Sequence, residues 1–168
     1  VFSGAVEHLE GASAPGDSVA VEASDGRFLG WAALSPASQI RARIWSWQQQ
    51  APIGPELIAS RIAAALAHRR RLLGDADSLR LLHGEADGLP GCVCDRYGDR
   101  LVLQLLSCGA DRWRDTVVAE LRRQTGLTQI HERSDSEVVA LEGLPQRNAT
   151  LAGAAMDTPA IASEHDLR

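Results

Sequence analysis

GEADGLPGCVCDRYG, residues 84–98, sets two Gly-rich turns around a short strand-like run that holds two of the chain's three cysteines. Its reading decides whether this part of the chain is an active site, a metal site or a scaffold corner. Gly88 and Pro90 shape the first turn, and Tyr97-Gly98-Asp99 forms the second. GCVCDRYG (91–98) reads as a strand, and RLVLQLLS (100–107) follows the second turn. SLRLLHG (78–84) reads as the strand before the first.

Tests for chemistry in this stretch return little. Cys92 and Cys94 have C-x-C spacing, with His83, Cys108 and His131 as further candidate ligands, whereas zinc sites use C-x-x-C or paired-His spacing. Residues i and i+2 of a strand share a face, so the two cysteines suit a core. No base stands near any cysteine in sequence to make it a nucleophile. G-x-S-x-G, G-x-G-x-x-G and G-x-x-x-x-G-K-[ST] are all absent from the chain. Glu85 and Asp87 form the one candidate acid–base pair, which would make a small hydrolase; the same residues suit a polar turn ahead of Gly88.

Outward from the turns, GADRWRDTVVAELRRQTG (109–126) has the apolar spacing of an amphipathic helix, and LTQIHERS (127–134) reads as a strand. Beyond Ser136 the pattern weakens, and residues 146–168 are Ala- and Gly-rich without a clear period. Upstream, PELIASRIAAALAHRRRLLG (55–74) carries full helix signals. Pro55 and Glu56 stand at its start, Arg69 to Arg71 at its end, and Gly74 at its stop. APIG (51–54) reads as a linker. The first 47 residues read as small-barrel β structure, with SVAVEA (18–23), an Asp25-Gly26 turn and RFLGWAAL (27–34). QIRARIWSW (39–47) alternates strictly. That places Arg41, Arg43, Trp45 and Trp47 on one strand face, where Arg pairs with phosphate and indole stacks on bases. The same face also suits ordinary packing of Trp rings on a neighbouring element.

The bulk numbers set the frame. The chain has 168 residues and is 45% hydrophobic, which suits one ordinary domain or two small ones. No apolar run approaches the ~20 residues of a membrane helix, so no membrane partner is expected. Three cysteines do not suggest a disulfide scaffold, and a reducing cytoplasm is the expected setting. The net charge is −5, but it is unevenly spread. Residues 27–71 hold seven Arg and a single acid, Glu56, between acidic flanks. Such a basic middle suits either an RNA-facing surface or a solvated face.

Several segments, in order, resemble the RlmI-type SAM-dependent large-subunit (23S) rRNA cytosine-5 methyltransferases. They are VFSGAV (1–6), SPASQIRARIW (35–45), GEADGLPG and DRYG within 84–98, LVLQLLSCGA (101–110) and ERSD (132–135), with SEHDLR (163–168) similar to the point before the catalytic domain. The resemblance implies an α+β chain: a small PUA-like β-barrel over 1–50, a linker and connecting helix over 51–74, and a central α+β domain over 75–168. A Rossmann-like methyltransferase domain, with its S-adenosylmethionine site and catalytic cysteine, is expected to lie outside this chain. The expected role is therefore substrate recognition, with large-subunit rRNA held by Arg41, Arg43, Trp45, Arg61, Arg69, Arg70 and Arg71. No catalytic, cofactor or metal residue is expected here. The alternative is a stand-alone PUA-type RNA-binding adaptor without catalysis.

Overall fold

The computed structural model describes residues 1–11, 14–74 and 76–155. The SEHDLR segment (163–168) lies outside them. The first sheet is antiparallel, with β1 (Ser18–Glu22), β2 (Phe28–Leu34) and β3 (Ala42–Ser46) in that order. Strand β1 alternates exposed and half-buried residues, as its period-2 sequence requires. The Asp25-Gly26 turn closes the β1–β2 hairpin, with Arg27 N donating to Asp25 Oδ1 at 3.1 Å. The chain's amino terminus ties to the far side of the sheet, where the Val1 ammonium donates to the Ala42 carbonyl at 2.7 Å.

Strand β3 departs from the strict alternation expected of it. Trp31 pairs with Ser46 and Ala32 with Ile44, so Trp45 is an extra residue without a partner across the ladder. This is a β-bulge, which interrupts the in–out alternation. Trp45 and its neighbour Ser46 are both buried, each 2% exposed, while Trp47 stands 73% exposed beyond the strand. Trp45 therefore does not share an open face with Trp47.

Helix α1 (Pro55–Leu73) buries Ile58, Ile62 and Ala65 on one stripe. Gly74 ends it, its N–H donating to the Arg70 carbonyl at 3.0 Å. The second sheet contains β4 (Ser78–His83), β5 (Cys92–Tyr97), β6 (Arg100–Leu105), β7 (Gln129–Ser134) and β8 (Arg147–Ala152), in sequence order. Only β6 and β7 run parallel. Parallel neighbours need a long crossover, here made of α2 (Cys108–Arg112) and α3 (Arg114–Thr125). The single helix expected over 109–126 is thus two, parted at Trp113, whose φ of −99° and ψ of 15° leave the helical region. A short α4 (Glu137–Leu141) and the edge strand β8 follow, where the sequence showed no period.

The inward positions of the second sheet, Leu82, Cys92, Cys94, Leu101, Leu103 and Ile130, are fully buried. They pack against Ile58 and Ile62 of α1 and Val117 and Leu121 of α3. The two cysteines are core residues, and burial pushes the Cys92 thiol up to about 12. Ala33 and Trp45 of the first sheet join the same cluster. The join runs over Gly109: a Cβ there would lie 3.0 Å from Trp45 Nε1 and closer still to the Ala33 methyl.

Candidate nucleic-acid interface

The C-terminal half of α1 lies beside the 3₁₀ turn Gly84–Asp87 that opens the Gly-rich stretch. Arg69 grips Asp87 with two parallel hydrogen bonds, Nη1 to Oδ1 at 2.5 Å and Nη2 to Oδ2 at 2.7 Å. The same carboxylate accepts the His83 backbone N–H at 2.6 Å. Asp87 is thus a brace between helix and turn, while Glu85 is exposed to solvent. The acid–base reading of Glu85 and Asp87 is corrected accordingly: the Asp87 carboxylate is consumed by a guanidinium fork, and Glu85 stands exposed at the rim of a neighbouring concavity. Gly88, with φ at +71°, closes the turn, and a Cβ there would sit 2.8 Å from Arg61 Nη1. Only glycine lets the Arg61 guanidinium lie so close to that turn.

Between α1 and the turn runs a groove of about 530 Å³ whose lining includes Arg61, His68, Arg69, Leu72 and Arg80. Arg70 and Arg71 are exposed on the same helix end. Arg71 Nη2 lies 3.4 Å from His68 Nδ1. These two cations have no carboxylate within ion-pair distance among the described residues.

The basic residues of the first sheet are placed differently. Arg43 Nη2 donates to Glu142 Oε1 at 2.8 Å, and the Glu142 side chain is 1% exposed. Glu142 Oε2 also accepts from Ser35 Oγ at 2.6 Å and from the Cys108 N–H at 3.3 Å. This buried carboxylate ties β3, the loop after β2, the start of α2 and the end of α4 together. Arg41 is half-buried and donates to the Pro36 carbonyl. Of the expected RNA-facing set of Arg41, Arg43 and Trp45, the structure corrects Trp45 and ties Arg43 to an acid, while Arg41 stays partly open to solvent. The Trp45 ring is enclosed in the core and offers no face to a base, and Arg43 already neutralises a buried acid. The reason is the bulge at Trp45 together with α4, an element the sequence pattern did not show.

ERSD (132–135) is also structural at its first and third positions. Glu132, 0% exposed, accepts from Arg114 Nε at 3.0 Å and from Ser134 Oγ at 2.9 Å. Ser134 Oγ in turn accepts the Leu105 N–H at 2.9 Å. Among the described residues no three His, Cys, Asp or Glu side chains gather as a metal site, and no helix is long and apolar enough to cross a membrane.

One surface escaped the sequence reading. The second sheet is lined on one side by α1 and α3, and its other side is half-exposed or exposed at every position of three cross-strand rows. Arg80, Asp95, Val102, His131 and Thr150 form the middle row by direct pairing. Ser78, Tyr97, Arg100 and Gln129 form the row below it, and His83, Val93 and Gln104 begin the row above. The signal was present in β5 to β7, whose outward residues are polar or charged except for Val93 and Val102. It has meaning only once the register lines the strands up.

Comparison with known proteins places this architecture. Residues 1–47 match the family model of a PUA-like domain. The whole chain aligns with a protein of Erwinia tasmaniensis named ribosomal RNA large subunit methyltransferase I, at 44% identity, and with one of the same name from Shewanella amazonensis at 42%. The chain covers 43% of the length of each. A solved candidate methyltransferase in complex with SAH superposes with a TM-score of 0.76 over 93% of this chain and 39% of its own, at 18% identity. A candidate SAM-dependent methyltransferase from Streptococcus mutans superposes at 0.69 over 86% of this chain. At these identities the two structures establish a shared fold. With a match to a PUA-like domain at its start, the chain is similar from end to end to proteins named ribosomal RNA large subunit methyltransferase I, of whose length it spans about two fifths.

Proposed function

We propose that the chain is the RNA-recognition portion of a SAM-dependent methyltransferase that acts on large-subunit rRNA. The end-to-end match at 44% identity to a protein of that name carries the reading. The PUA-like domain at residues 1–47 and the exposed Arg70 and Arg71 beside the α1 groove support it. In this reading Arg70 and Arg71 contact phosphate, with Arg61 at the groove and Arg41 at the first sheet as further cationic contacts. Arg43 and Arg69 act indirectly, by holding Glu142 and Asp87 so that the RNA-facing surfaces keep their shape. Phosphate contacts supply affinity and make it salt-dependent. S-adenosylmethionine is the methyl donor of the whole protein, and we assign no residue of this chain to it. Cytoplasmic residence follows from an rRNA substrate.

Fluorescence-anisotropy titration of the chain with a large-subunit rRNA hairpin and an unrelated RNA, each at two salt concentrations, tests the reading. Salt-sensitive binding that favours the rRNA hairpin is expected. Absence of binding to either RNA would overturn recognition by these residues.

A further inference from the structure

We propose that the face of the five-stranded sheet left open among the described residues receives unpaired nucleotides of the RNA, and that Tyr97 and His83 stack on their bases. The proposal rests on the RNA reading above and extends it from phosphate contact to base contact.

Four observations lead to it. First, the sheet is two-sided. Its inward residues are buried against α1 and α3, whereas the opposite residues are half-exposed or exposed. Second, the chemistry of the open face is that of a single-strand reader. Its rows carry Tyr97 and the imidazoles of His83 and His131, flat groups able to stack, beside Gln104 and Gln129, whose amides can bond base edges. Tyr97 is 39% exposed and His83 is exposed. Third, Arg80 and Arg100 lie in these rows and Arg133 stands beside them, each held by an acid. Arg80 is held by Asp95, Arg100 lies near Asp99 at 3.7 Å and Arg133 is held by Asp135 at 3.2 Å, with the Arg80 and Arg133 side chains still open to solvent. Arg80 binds Asp95 through Nε at 2.8 Å and Nη2 at 3.1 Å, and this pair is solvent-accessible on the arginine side. Fourth, the face is continuous with the α1 groove. A second concavity of about 480 Å³, where the Gly84–Asp87 turn meets the sheet, has His83, Glu85, Val93 and Gln104 in its lining. Arg80 and Ala86 line both it and the α1 groove. A strand whose phosphates lie along Arg70 and Arg71 can therefore cross Arg80 and lay its bases on the sheet.

The composition decides between RNA and a protein partner. The centre of a protein–protein interface is depleted of charge and rich in apolar anchors. Here the only aliphatic side chains in the named rows are Val93 and Val102, set among Arg, Asp, His, Gln and Tyr. Single-stranded RNA uses that mixture: arginine for phosphate, flat rings for bases, amides for edges.

The test uses the full 168-residue chain with Tyr97→Ala, His83→Ala and their double variant, beside Arg70→Ala/Arg71→Ala. Both sheet-face positions are exposed and outside the core cluster, and circular dichroism melts confirm that each variant is folded. Each is titrated with a labelled single-stranded RNA and with the same sequence annealed into a duplex. The double sheet-face variant is expected to lose about tenfold in affinity for the single strand, the scale of one or two lost base stacks, and to bind the duplex as the unaltered chain does. The arginine variant is expected to weaken both. Equal loss on single strand and duplex in the sheet-face variant would overturn base stacking, and so would no loss on either. In both cases a salt-dependent loss in the arginine variant would leave the RNA reading standing. If the unaltered chain binds neither RNA, the RNA reading falls and this proposal with it.

Discussion

Two arginine-rich segments of this chain, QIRARIWSW (39–47) and AHRRRLL (67–73), offer similar side chains and meet opposite fates. In the first, Arg43 is drawn into an ion pair with a carboxylate that is 1% exposed, and Trp45 is sealed in the core. In the second, Arg70 and Arg71 remain exposed at the end of α1, next to a groove. Composition allows a basic surface at both places, with tryptophans beside the arginines only in the first. The difference is the presence of a partner: Glu142, just after α4 and about a hundred residues later, meets the first segment, and among the described residues no acid pairs with Arg70 or Arg71. An arginine count therefore measures cationic potential, and the count of carboxylates delivered by the fold sets how much remains for a ligand.

The contrast can be broken most severely at Trp45. Trp45→Ala should cost ~4 kcal/mol in urea unfolding, as for other large core aromatics cut to alanine. A loss below ~1 kcal/mol would mean that the ring is not part of the shared core and would return it to the list of base-stacking candidates. Glu142→Ala should cost about 3 kcal/mol, because it strands the Arg43 charge in a largely buried setting and removes the acceptor for Ser35 and the Cys108 N–H. The double variant with Arg43→Ala should recover part of that loss, since no unpaired charge then remains. Failure of any recovery would show that Glu142 acts through its other two bonds alone.

The exposed segment should answer in binding and not in stability. Arg70→Ala/Arg71→Ala should change unfolding free energy by no more than about 0.5 kcal/mol. It should lower the slope of log affinity against log salt for RNA by about 2, one for each lost phosphate contact. An unchanged slope would erase the distinction between the two segments. The smallest effect concerns the strand inside the opening stretch. Burial raises the Cys92 thiol from its ordinary value near 9 to about 12 and raises Cys94 as well. Iodoacetamide at pH 8 should leave both unmodified in the folded chain and modify them in urea. Because the folded state holds the Cys92 proton that the unfolded state releases above about pH 9, stability should fall as pH rises past that value.

Much of the architecture is legible in the residues. Helix α1 announces itself by Pro55, Glu56, the arginines of its last turn and Gly74, all local signals that need no tertiary partner. Strands β1, β2 and β4 to β7 follow from period-2 runs between turn residues, and the C-x-C spacing of Cys92 and Cys94 points correctly to the core. The failures share a cause. The bulge at Trp45 is visible only against its β2 partners, because an added residue in one strand is defined by the ladder of the other. Strand β8 is half-buried or exposed at all six positions, so it has no apolar period to read. Helix α4 is five residues long, too short for a helical stripe to stand out.

By itself, then, the sequence determined which segments are helix or strand where backbone preference and one-sided burial act within a few residues. It also determined the similarity to the large-subunit rRNA methyltransferases, through short motifs in a shared order. The tertiary structure alone decided which charges are available. It paired Arg43 with Glu142 and Arg69 with Asp87, left Arg70 and Arg71 in solvent, and aligned Tyr97, His83 and their neighbours on one open sheet face. An ion pair or a cross-strand row depends on distances between residues far apart in the chain, and those distances exist only after the core has closed.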